Sequence, residues 1–235
     1  MIQPLVVELS KVNNITVLTD TVRNKVPMPV FCVGTDYTIV ESMKSSMLTQ
    51  TALSTTFREP VFIRNTFKRN KAFQKMTFTD DANTIMTVPN AGGNSVNSEA
   101  LSCDMLNTLF DASLEATEMQ LAYFPMNSKI TDFSVRIRGE IFGVSVTRAM
   151  KYHGRYTEAD ADRLLTKKLY GVNASTQAVL KCYRWKKQIL HIWAEHKYIA
   201  DILKAKYDTL PSSLKNDTIV IVTVCENSSW LFFER

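Results

Sequence analysis

The sequence predicts an α/β protein, with α+β as the alternative: a mixed central sheet, flanking helices and a strand-rich N-terminal part. Three observations carry that prediction. Between Lys129 and Lys151, Phe133, Val135 and Ile137 alternate with Ser134, Arg136 and Arg138, the period-two pattern of a half-buried strand. The following arm, Phe142 to Val146, is more uniformly apolar, as in a strand covered on both faces. Leu101, Met105 and Leu109 then recur at helical spacing, with Ala112 continuing the face.

In chain order, residues 1–88 form the strand-rich region. Val6 to Leu9, Ile15 to Leu18, Val30 to Val33 and Val61 to Ile63 are short β-prone runs, with turns at Asn13-Asn14 and Gly34-Thr35-Asp36. Glu41 to Thr51 reads as a helix. Pro89 to Ser95 is a breaker, and residues 89–235 form the second region. It opens on a helix with Asn97 or Ser98 as N-cap. Met119 to Phe124, Ile130 to Ile137 and Ile141 to Val146 follow as three strands, the last two joined by a turn at Gly139 and Glu140. Thr157 caps a helix running to Gly171, and Ser175 to Cys182 reads as a short further helix. Gln188 to Trp193 is a strand, Tyr198 to Tyr207 a helix, Thr218 to Cys225 a buried strand and Trp230 to Phe233 an edge strand.

Composition sets the outer limits. With 235 residues, 45% hydrophobic and 22% charged, the chain can bury a real core and is not of disordered type. No apolar run approaches the roughly 20 residues of a membrane span. The N-terminus lacks the pattern of a secretion signal, and Cys32, Cys103, Cys182 and Cys225 are too scattered to form a zinc site. These features lead us to expect an intracellular protein, of cytoplasm or nucleus, with reduced thiols. The net charge of +5 and pI near 9.0 are compatible with a polyanionic partner.

From residue 95 to about 225 the order helix–strand–strand–strand–helix–strand resembles the core of the PD-(D/E)xK nuclease superfamily, the restriction-endonuclease-like fold. In that family an acid on the first helix, an Asp opening the second core strand and an acid-x-Lys pair on the third surround one or two divalent metals. The resemblance makes Glu99 the helix acid and places Thr131-Asp132 at the family's Pro-Asp position. It sets Val144-Ser145-Val146-Thr147 on the acid-x-Lys strand, so Ser145 replaces the acid and Thr147 the lysine. Gln188, with Lys186 and Lys187 beside it, is a stand-in for the family's later Gln or Lys. The resemblance thus implies metal ligands at Glu99 and Asp132, Mg²⁺ or Mn²⁺ as cofactor, and phosphodiester hydrolysis, which needs charge stabilisation and an activated water. A serine hydroxyl adds no negative charge, and a threonine cannot act as an ammonium. Glu140 could supply a displaced acid, and Arg148, Lys129 or Lys151 a displaced cation. The expected site is therefore rearranged or impaired.

Each candidate has a plainer reading beside it. Asp132 could satisfy local backbone donors, Glu99 could favour its helix dipole, and Ser145 and Thr147 could pair across a sheet. Two basic-aromatic clusters are candidate nucleic-acid contacts. One is Arg64 to Lys75, with Lys68, Arg69 and Lys71 among Phe62, Phe67, Phe73 and Phe78. The other is Lys181 to Lys187, with Arg184, Lys186 and Lys187 around Tyr183 and Trp185; Arg148 joins them as a phosphate contact. The alternative is that these phenylalanines and Trp185 face the core. His191 and His196 have no helical zinc spacing, and Gly92-Gly93-Asn94-Ser95 lacks a phosphate-loop ending. The expected partner is DNA or RNA, with no membrane. The rivals are a non-enzymatic protein- or RNA-binding module and a viral or structural assembly protein that forms a homo-oligomer.

Overall fold

The structure, a computed structural model, describes residues 8–12, 15–19, 29–89 and 95–233. Two short strands, β1 (Glu8–Val12) and β2 (Ile15–Thr19), pair antiparallel by themselves. The expected turn at Asn13-Asn14 lies outside the described residues, as does most of the Pro89 to Ser95 breaker.

Among the described residues, the body of the protein is an eight-stranded mixed sheet. Its first part comprises β3 (Pro29–Val33), β4 (Tyr37–Ser42), helix α1 (Met43–Ala52) and β5 (Val61–Arg69). Helices α2 (Asp80–Thr87) and α3 (Val96–Phe110) follow, then β6 (Ser113–Thr117), β7 (Phe133–Ile137) and β8 (Glu140–Ala149). The chain continues through α4 (Glu158–Ala178), β9 (Lys187–Ala194), α5 (Lys197–Thr209), α6 (Ser212–Lys215), β10 (Ile219–Val224) and α7 (Ser229–Phe232). Spatial strand order is β3-β4-β5-β10-β9-β8-β7-β6. Strands β5, β10, β9 and β8 run parallel, and both edges are antiparallel. The strand-rich first region therefore shares its sheet with the second, joined where β5 pairs β10.

Side-chain alternation divides the core between the two faces. Phe133, Val135, Val144, Val146, Ile189 and Trp193 pack with Leu101 and Met105 of α3. On the other face Leu190, Ile192, Val220 and Val222 pack with Leu165 and Leu169 of α4 and Leu203 of α5. Strands β9 and β10 are buried along their whole length, as parallel strands between helices must be. Gly143 is required by packing, because a Cβ there would stand 2.8 Å from the Trp185 ring.

Several expectations are corrected. The β7–β8 turn is Arg138-Gly139, both with positive φ (52° and 83°), the two-residue geometry matching strand twist. Ser95, not Asn97 or Ser98, caps α3. The expected strand Met119 to Phe124 is instead a 3-10 turn (Glu118–Gln120) and loop, with the strand lying earlier, at β6. Helix α4 runs unbroken through Gly171 to Ala178, absorbing the first half of the expected second helix. Trp230 to Phe232 lie in α7, with Phe233 as its C-cap, and form no edge strand.

Candidate metal centre

The candidate site lies where β7 begins, beside the later part of β8. Asp132 sits one residue before β7, and its Oδ2 accepts a hydrogen bond from the Val146 backbone N–H. Glu99, in the first turn of α3, is buried, at 7% exposed. Burial raises the Asp132 carboxyl to about 7, and the negative charge of Glu99 is the next cause. The fold thus brings the two acids into electrostatic reach across the end of the sheet.

Two further charged groups act on Asp132. Lys168 of α4 opposes the rise, while Glu118 adds to it. Lys168 Nζ donates to the Val146 carbonyl at 3.3 Å, so its ammonium stands over the strand segment that holds Asp132. Among the described residues, no group of three or more His, Cys, Asp or Glu side chains is arranged to hold a metal ion. Glu99 and Asp132 are two carboxylates and fall short of such a group; a cation held there would be of the Mg²⁺ type, which takes one or two carboxylates and keeps several waters. A divalent cation between the two acids would also relieve the repulsion that raises Asp132.

Ser145 and Thr147 alternate with the α3-facing Val144 and Val146, so both lie on the α4 side of β8, where Lys168 arrives. Ser145 is buried and Thr147 half-buried. Gln188 opposes Gly143 in register, on the same side. Its Nε2 donates to the Val172 carbonyl at 2.7 Å and to Ser175 Oγ at 3.0 Å. Ser175 Oγ lies 3.0 Å from Thr131 Oγ1. Gln188 therefore fastens α4 to the sheet next to the Thr131-Asp132 pair, a positioning role. Of the suggested displaced groups, Glu140 stays in the hairpin, Lys151 pairs with Asp160 at 2.7 Å, and Arg148 Nη1 donates to the Leu231 carbonyl at 3.0 Å.

Sequence reasoning missed Lys168 and Glu118. For Lys168 a signal existed: Ala161, Leu165, Lys168, Val172 and Ser175 follow steps of four and three, placing a lysine on the core-facing stripe of α4. Glu118 was hidden because the expected strand began one residue after it.

The basic residues divide. Lys68 and Arg69 are exposed at the end of β5; three strand spacings and five residues from Val146, they lie roughly 20 Å away. Lys71 is paired with Asp36. The rings of that first cluster face inward: Phe67 is buried in the core and Phe73 stacks on Trp230 at 4.3 Å. Arg184 and Lys186 are exposed before β9. Lys187 is corrected as a phosphate contact. It is 1% exposed, and its Nζ donates to the Ala52 and Phe57 carbonyls at 2.8 Å each. His191 is a core residue, with Nε2 2.8 Å from Thr223 Oγ1 and burial depressing its pKa to about 3.

No protein-family model matches the chain, and no solved structure matches it. Over 156 residues it is 45% identical to the AAC-rich mRNA clone AAC4 protein of Dictyostelium discoideum. That stretch is 63% of this chain and 23% of the relative, so the chain spans less than a quarter of the relative's length. Among the described residues no helix is long and apolar enough to cross a membrane.

Proposed function

We propose that the chain acts on nucleic acid as a divalent-metal-dependent phosphodiesterase of PD-(D/E)xK type with a rearranged site. What supports this reading is geometric: the Val146 N–H holds the Asp132 carboxylate beside β8 and Lys168 Nζ reaches the Val146 carbonyl, with the buried Glu99 near enough for its charge to act on Asp132. In this reading Glu99 and Asp132 hold Mg²⁺ or Mn²⁺, and Lys168 supplies from α4 the cation that Thr147 cannot supply from β8. The bound metal would lower the pKa of a water and neutralise phosphate charge. Ser145 leaves the ligand set one carboxylate short, so more of the coordination falls to water and substrate oxygens. Gln188, through Ser175 and Thr131, keeps the Asp132 segment in place.

The test is cleavage of single- and double-stranded DNA and RNA in Mg²⁺ or Mn²⁺. Asp132→Ala and Lys168→Met should each lower the rate by about a hundredfold or more, as loss of a metal ligand or a charge-stabilising group does. Equal cleavage by wild type and both variants would assign the activity elsewhere. Absence of cleavage by the wild type would favour the non-enzymatic binding module.

A further inference from the structure

The loop between Glu118 and Asp132 begins and ends at the candidate site, yet its middle is turned to solvent. Its base is firmly built. The Phe124 N–H donates to the Ala178 carbonyl at 2.8 Å, and the Leu180 N–H donates to the Ala122 carbonyl at 2.9 Å. The Thr131 N–H donates to Tyr123 Oη at 3.0 Å, closing the loop. Beneath, Leu121, Val179 and Trp185 form a small separate core with Ala116. On this base Phe124 is 75% and Met126 92% exposed. Single exposed apolar residues are ordinary, but Met119 and Ile130 are exposed on the same anchored loop, and four beside a candidate site invite a partner, with Phe124 and Met126 at the tip.

Charge says which partner. Residues 119–130 and 171–187 contain no Asp or Glu. Their Lys and Arg residues are Lys129, Lys181, Arg184, Lys186 and Lys187, of which all but Lys187 are exposed. Exposed cations in these two acid-free segments beside a protruding apolar tip, with Glu118 and Asp132 only at the loop's base, fit a polyanion whose interior is apolar and stackable, which describes a nucleic acid. Resting on the nucleic-acid reading above, we propose that Phe124 and Met126 form a wedge that enters a base step while Lys129, Lys181, Arg184 and Lys186 hold the flanking phosphates. Helix α4 provides the ruler. Lys168 reaches the site and Ala178 holds Phe124, ten residues apart and therefore about 15 Å along the helix. At about 3.4 Å per base step, the opened step lies about four base pairs from the phosphate at the metal site. The favoured substrate is a duplex already weakened there by a mismatch or bulge, since such bases cost least to unstack.

The experiment uses the full chain in EDTA, so the result stands whether or not the chain cleaves. The probes are DNA and RNA duplexes carrying 2-aminopurine at a mismatched step, titrated at several salt concentrations. Wild type should bind with a fluorescence rise. Phe124→Ser with Met126→Ser should lose that rise and about tenfold in affinity while keeping the salt slope. Lys181→Gln with Arg184→Gln and Lys186→Gln should lower the slope of log affinity against log salt by about three. Binding without a fluorescence rise, or unchanged behaviour in both variants, overturns the proposal. So does self-association abolished by the serine substitutions with nucleic-acid affinity untouched, which would give the surface to a protein partner.

Discussion

Asp132→Asn is expected to make the protein more stable than wild type at pH 8 by about 2–4 kcal/mol. The folded Asp132 carboxyl is raised from its ordinary 3.8 to about 7, by burial first and by Glu99 second. A raised carboxyl binds its proton more tightly in the folded state, so its favourable contribution is complete below about pH 4. That contribution is lost as pH rises through 7. Wild type should therefore weaken between pH 4 and 7 on account of this group. The asparagine keeps an acceptor for the Val146 N–H but has no proton to lose, so its profile should flatten across that window. Urea midpoints at pH 5, 6, 7 and 8 in EDTA decide the matter. Parallel profiles would mean that Asp132 carries no such strain.

Lys187→Ala is expected to cost about 3–5 kcal/mol, the range for removing a buried charged partner together with core volume. The Lys187 ammonium lies 2.8 Å from both the Ala52 and Phe57 carbonyls, tying the end of α1 and the chain beyond it to β9. Phe57 also faces the ammonium at 5.5 Å from its ring centroid. Burial lowers the Lys187 pKa, so the site bears a desolvation cost that the two carbonyls offset. Lys187→Met retains most of the stem but orphans the carbonyls, and should cost about 2–4 kcal/mol. Urea denaturation at pH 7 measures both. A loss within about 0.5 kcal/mol for either would place Lys187 among ordinary surface residues.

The contrast between Lys187 and Lys186 shows what the sequence withholds. Both read as one basic run before a strand, yet strand alternation turns Lys187 inward, and only the arrival of α1 provides carbonyls to receive it. The β7–β8 hairpin was legible because its alternation is unambiguous, and α3 because its apolar spacing is helical. Gly171 misled because a glycine in a helix costs only about 1 kcal/mol and the apolar stripe continues beyond it through Val172. Trp230 to Phe233 is four apolar residues long, too short for periodicity to separate helix from strand. At the site, the order of elements singled out Glu99 and Asp132, whose charges bear on one another in the fold. Lys168 was visible as a lysine on an apolar helical stripe, but its meeting with Val146 depends on how α4 crosses β8, which no local pattern specifies.

A calorimetric titration of Mn²⁺ decides whether Glu99 and Asp132 form one divalent-cation site. If they do, one ion binds per chain, with affinity increasing between pH 6 and 8 as the ion competes with the Asp132 proton. Glu99→Gln and Asp132→Asn should each lose about tenfold or more in affinity. Mn²⁺ binding that is unchanged in both variants, or absent from the wild type, would contradict such a site.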